Sequence, residues 1–107
     1  MYRQGDVLIV PIAEEAAAPA ARWLPTPRDR RGRMVLALGE VTGHAHAISS
    51  PGKLFHDPHT PNSMVLHLPE GGRVVHEEHA AIGLPKGWYR VVRQREYVPG
   101  AVRIVAD

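Results

Sequence analysis

Pro85-Lys86-Gly87-Trp88-Tyr89-Arg90-Val91-Val92-Arg93-Gln94-Arg95-Glu96-Tyr97-Val98-Pro99-Gly100 decides the fold class. Its interior, Trp88 to Val98, is the longest stretch free of both glycine and proline, and turn residues close it at each end. Its β-branched and aromatic residues suit a pleated, half-buried surface. The same punctuation recurs outward from it. Ten glycines and ten prolines are spread through 107 residues, so three-turn helices hardly fit between them. Twelve valines and five isoleucines fill the short windows that remain. An all-β domain is expected, with strands at about Asp6 to Ile12, Arg33 to Leu38, His44 to Ser49, Lys53 to His56, Ser63 to Leu68, Arg73 to Glu77, Trp88 to Val98 and Ala101 to Val105. About seven or eight short strands at this spacing make a small barrel or sandwich.

Turns separate them at Ser50-Pro51-Gly52, Pro58-His59-Thr60-Pro61-Asn62, Glu70-Gly71-Gly72, Pro85-Lys86-Gly87 and Pro99-Gly100. Residues 1–107 read as a single β domain, with residues 13–32 as a long Ala/Pro-rich loop after the first strand. One or two helical turns fit before Pro19, and Trp23 and Leu24 are expected to dock this loop onto the body. A chain of this size buries about 65% of its unfolded surface, enough for a core without staples.

Cysteine is absent, which excludes a disulfide scaffold, thiolate metal sites and a thiol nucleophile. Thirteen Lys/Arg against eleven Asp/Glu give a net charge of only +2, which argues against nucleic acid as a partner. Near the start, the apolar stretch broken by Pro11 is too short for a signal or a membrane span, so the expected setting is soluble and cytoplasmic, without a membrane partner. No Gly-rich phosphate loop and no Ser-His-Asp order is present.

Seven histidines are the compositional outlier. In Gly43-His44-Ala45-His46-Ala47, strand periodicity sends His44 and His46 to one face, roughly 7 Å apart at Cα, where two imidazoles can share a metal. A second group, His76-Glu77-Glu78-His79, follows Arg73-Val74-Val75. On a continuous strand His76 and His79 face opposite ways, whereas a tight turn or a single helical turn brings them together. The run is one residue short of the helical zinc-protease motif, and that assignment is rejected. A site shared by His44, His46, His76 and His79 is expected, holding one divalent transition metal: zinc, nickel, iron, manganese or copper. A carboxylate from Glu77 or Glu78 widens the choice toward Fe(II) or Mn(II), and either residue can serve as a catalytic proton acceptor. Catalysis on a small molecule and binding alone are both compatible with such a site. His56 and His59 are expected in solvent, and His67, between Leu66 and Leu68, is a further candidate ligand if it faces the interior.

The run Gly39-Glu40-Val41-Thr42-Gly43-His44-Ala45-His46, the Pro69-Glu70-Gly71 turn and the later His76 resemble a minimal cupin. That resemblance implies a double-stranded β-helix in which His44 and His46 supply the paired ligands and His76 or His79 the later one. The glutamate that cupins carry soon after the pair is replaced here by Ala47-Ile48-Ser49-Ser50. Gly5-Asp6-Val7-Leu8, the Gly-His-x-His run and the late strand also resemble small bacterial proteins of unassigned function, which implies a bacterial or mobile-element origin and no activity. Arg28, Arg30, Arg31 and Arg33 form a short basic run interrupted by Asp29, while on the late strand Arg90, Arg93 and Arg95 do not segregate from apolar residues; together they could contact phosphate oxygens, but the reading preferred is a solvated, ion-paired strand end. The competing reading is a non-catalytic β-barrel module that binds a protein or nucleic acid. Both readings leave homo-oligomerisation open.

Overall fold

The computed structural model describes residues 1–39, 41–60, 62–98 and 101–104, with the backbone alone at 95–98 and 101–104. The strands are β1 (Tyr2–Gln4), β2 (Val7–Ile12), β3 (Met34–Leu38), β4 (Ala45–Ile48), β5 (Lys53–His56), β6 (Ser63–Leu68), β7 (Gly72–Val75), β8 (Ile82–Leu84), β9 (Gly87–Arg93), β10 (Arg95–Val98) and β11 (Ala101–Ile104). After β2 come one helical turn, α1 (Glu14–Ala17), and a 3-10 turn over Ala18–Arg22. A five-stranded antiparallel sheet, in the order β1-β2-β9-β6-β5, packs on a four-stranded one, β3-β4-β7-β8, and β10 and β11 form a separate hairpin. Of the two architectures expected, the open sandwich forms and the closed barrel does not. Among the described residues no helix is long and apolar enough to cross a membrane.

Two strands, β1 and β8, were not foreseen; each has only three residues, too few for alternation to register. The long run from Trp88 divides at Gln94, whose N–H donates to the Asp6 carbonyl at 2.7 Å where β9 parts from β2. Val105, the Pro99-Gly100 turn, Pro61 and Glu40, all used in the sequence reading, lie outside the described residues.

Strand alternation gives the larger sheet two covered faces. Val7, Ile9, Leu54, Met64, Leu66, Leu68, Tyr89 and Val91 point between the sheets, where Met34, Leu36, Ile48, Val74 and Leu84 meet them. On the outer face Phe55 and Val65 pack with Ala17 and Ala20 of the helical turns. This explains why β6 reads as an almost unbroken apolar run: both of its faces are covered. The segment after α1 is held down by Trp23, which packs on this outer cluster, and by a bridge between Pro25 and Phe55. Leu24 does not dock. It is 89% exposed, because its neighbours on either side take the contacts.

The connection from β6 to β7 crosses between sheets through Pro69-Glu70-Gly71, beside the connection from β8 to β9. Gly71 sits at φ 75°, and a Cβ there meets the Leu84 carbonyl oxygen at 2.8 Å. Gly32 has the same φ with nothing within 4 Å. Both Gly→Ala changes therefore carry the positive-φ penalty of roughly 1–2 kcal/mol, and Gly71→Ala adds overpacking of about 1–3 kcal/mol. In thermal melts Gly71→Ala is expected to lower Tm clearly more than Gly32→Ala, at about 4–8 °C per kcal/mol. Equal shifts would show that the two crossovers are not in contact.

Candidate functional site

The site grows out of one strand register. In the β4–β7 ladder Ala47 pairs with Val75 and Ile48 with Val74. Continued by the same count, His46 lies opposite His76, Ala45 opposite Glu77 and His44 opposite Glu78. The backbone ladder stops at Val75 and the chain bends over 77–79. A side chain continues it: Glu77 Oε1 accepts the Ala45 N–H at 2.8 Å, in place of a backbone carbonyl. On the other flank of β4, a bulge between Val35 and Ala37 shifts the β3 register beside His46.

The bend brings the histidines together. The His46 and His76 rings have centroids 4.4 Å apart, His44 stands edge-on to His76 at 5.5 Å, and His79 lies 4.7 Å from His76 and 6.0 Å from His46. The tight turn, not the continuous strand, is therefore the geometry of this segment, and all four expected imidazoles share one cluster. Glu77 belongs to it as well: nitrogens of His44 and His76 and an oxygen of Glu77 all lie within 4.8 Å of one another. Glu78 sits at the rim, its Oε1 4.0 Å from His44 Nδ1 and its side chain 61% exposed.

Three residues that hold the cluster were not foreseen as parts of a site: Gln4, Asp6 and Arg93. β1 and β2 are joined by the two-residue turn Gly5-Asp6, with Gly5 at φ 58°. Gln4 Nε2 donates to the carbonyls of Val74, at 3.3 Å, and Ala80, at 3.0 Å, on either side of the bend. With the amide nitrogen so engaged, Oε1 is the acceptor facing His46 Nδ1 at 2.8 Å, so that nitrogen carries the proton. The ring's other nitrogen, Nε2, then faces Asp6 Oδ1 at 3.6 Å. Asp6 is fully buried and its Oδ2 accepts from Arg93 Nε at 2.6 Å. The sequence does carry a trace of this: alternation puts Gln4 on the same face as Tyr2, which packs on the core, and a polar residue there needs a partner.

The backbone N–H of Ala45 holds the Glu77 carboxyl below the usual carboxylate range, with its own N–H and the nearby His44 and His76 acting in the same direction. His76 Nδ1 accepts the Glu78 N–H at 3.0 Å. A metal at Nδ1 competes with that N–H directly, and a metal at Nε2 requires a proton on Nδ1, which cannot face an N–H donor. Coordination by His76 at either nitrogen therefore releases the Glu78 amide.

The remaining histidines stand apart. His67 stacks on Trp88 at 4.0 Å on the outer face of the larger sheet, and His56 and His59 are exposed. Among the arginines, Arg28 donates to the carbonyls of Gly32 and Ser50, each at 2.8 Å, Arg33 pairs with Asp29, and Arg90 reaches Asp57 and Ser63. These cations hold loops.

Glu77 sets an acid limit on the bend. A carboxyl held below its ordinary value near 4.5 contributes stability that is present above that value and is lost as pH falls through the lower folded value. Asp29 and Asp57 are lowered too, so the wild-type protein loses stability in acid for several reasons. Glu77→Gln keeps an acceptor for Ala45 but no charge, and its stability is expected to fall less steeply than wild type between about pH 5 and pH 3. Denaturant midpoints measured across that range check this, and parallel curves would remove Glu77 from the acid response.

Over residues 3–94 the chain matches the family described as Domain of unknown function (DUF8820). No curated protein and no solved structure matches it. Since the matched stretch takes in every strand from β2 to β9 and the whole histidine cluster, the chain belongs to the DUF8820 family.

Proposed function

We propose that this protein binds one divalent transition metal through His44, His76 and Glu77, with His46, the second of the ligand pair that the cupin resemblance implies, and His79 packed beside the ligands. The observation that carries the reading is the approach of the three ligand atoms to within 4.8 Å of one another from two separate chain segments. Tetrahedral neighbours on bonds of about 2.1 Å lie about 3.4 Å apart, so a side-chain adjustment of roughly an ångström closes the set. Nitrogen and oxygen donors fit zinc, nickel, iron, manganese or copper, and two imidazoles with one carboxylate favour Fe(II) or Mn(II).

Bound there, the metal supplies Lewis-acid or redox chemistry with coordination positions left for a small molecule. The chain's own residues do the rest. Gln4 fixes the tautomer of His46, Asp6 and Arg93 anchor the turn behind it, and Glu77 is kept ionised by the Ala45 N–H. Glu78, exposed at the rim beside His44, is placed to accept a proton from a ligand entering from solvent.

Anaerobic titration with Fe(II), Mn(II), Ni(II) and Zn(II), followed by elemental analysis, is expected to give one metal per chain for at least one of them. His44→Ala and Glu77→Gln are expected to weaken that binding by about 100-fold or more, beyond the effect of losing an outer partner. Metal loading is also expected to speed hydrogen exchange at the Glu78 amide, because its bond to His76 is given up. Full occupancy in His44→Ala, or no stoichiometric uptake of any of the four ions, would overturn the assignment.

A further inference from the structure

The outer face of the larger sheet carries a second feature, separate from the histidine cluster. Trp23 and Pro25, from the segment that crosses this face, and Lys53, Phe55, His67 and Trp88, from β5, β6 and β9, line a cleft of about 560 Å³. That is the size of pocket that encloses a small organic ligand. Both tryptophans of the chain and its one phenylalanine stand on it. Aromatic residues are scarce here, at 6% of the sequence, so their gathering calls for a cause.

Docking of the crossing segment, held by Trp23 and the Pro25–Phe55 bridge, uses only part of this aromatic surface. Ala17, Ala20, Phe55 and Val65 form the buried contact, while Trp23 and Trp88 pack against its margin and remain only half-buried. Trp88 lies parallel to the His67 ring, 13° apart in plane, which orders the indole at the cleft wall. An aromatic surface held rigid and partly open suits stacking by a planar ring.

Charge selects among planar rings. Lys53 lines the cleft and no carboxylate does. An adjoining cleft of about 380 Å³ shares His67 and Trp88 and adds Lys86, although Glu14 lies there too. The chain has only these two lysines, and each lines a cleft that includes His67 and Trp88.

We propose that this cleft binds a planar aromatic anion, a ring bearing a carboxylate or a phosphate, stacked on the indoles with its charge toward Lys53. Because both tryptophans line the cleft, intrinsic fluorescence reports directly on it. In the full chain, 2-naphthoate is expected to quench this emission saturably at one site and to bind about fivefold more tightly than the neutral 2-naphthalenemethanol, as one exposed ion pair allows. Lys53→Met, an exposed position, is expected to abolish that preference while the neutral probe still binds. Trp23→Ala is expected to weaken both probes by at least about tenfold, with an unchanged β-type circular dichroism spectrum. Adenosine 5′-monophosphate against adenosine repeats the comparison for phosphate, and a preference for the charged member of either pair supports the proposal. Absence of saturable quenching by every probe, or an anion preference that survives Lys53→Met, overturns it. The histidine cluster is untouched by these changes, so His44→Ala is expected to bind the probes as wild type does, and failure here leaves the metal reading standing.

Discussion

A carboxylate without exposed surface, Asp6, sits in a two-residue turn at one end of the sandwich and has to be accommodated. Removing an ionised group from water costs several kcal/mol unless opposite charge and hydrogen bonds offset it. Here Arg93 meets one carboxylate oxygen at 2.6 Å, and His46, itself fully buried, faces the other at 3.6 Å. In the protonated state of the ring this last contact is an ion pair; in the neutral state it sets two acceptors against each other. The arrangement ties the larger sheet, through the β1–β2 turn and β9, to β4 of the smaller one. Gln4 adds a second tie, holding the carbonyls on either side of the bend. Together these contacts give the two sheets polar closure at that end.

The histidine cluster depends on this closure because it is an extension of the core. Ile48 and His46 are alternate residues of β4, so they share a face: Ile48 fills the space between the sheets and His46 continues the same column toward the end of the sandwich. Val74 and His76 repeat the pattern on β7 and just beyond it. What turns a core column into a chemical site is the point where β7 stops. Two more regular residue pairs, His46 with His76 and Ala45 with Glu77, would give Ala45 a backbone acceptor and carry His79 away from His76. The carboxylate of Glu77 takes that acceptor role instead, which lets the backbone bend and fold His79 back.

Much of this was legible in the sequence and part was not, for physical reasons. β5 and β6 match the expected limits because turn residues bracket each of them. The gathering of His44, His46, His76 and His79 was legible from two short motifs in an all-β chain. The Gln4, Asp6 and Arg93 supports were not, since a glutamine, an aspartate in a glycine turn and an arginine on a mixed strand each look like ordinary surface residues. Their meaning lies in tertiary proximity: Arg93 is far along the chain from Asp6, and only the antiparallel pairing of Val7 with Arg93 brings them together. Barrel and sandwich were equally compatible with the strand spacing, because closure depends on which edges pair, and spacing carries no record of that.

The continuity between core and site bears on how substitutions are interpreted. His46 shares a face with Ile48 and carries bonds that join the sheets, so shortening it opens a cavity and removes a polar tie together. A loss of binding in such a variant mixes affinity with folding. His44 is half-buried just before β4, and Glu77 is exposed and bonded to the Ala45 N–H. Their substitution disturbs the proposed ligand set with little of the core behind it. The chemistry of the cluster is therefore best probed from its solvent side, and the integrity of the sandwich from Gln4, Asp6 and His46.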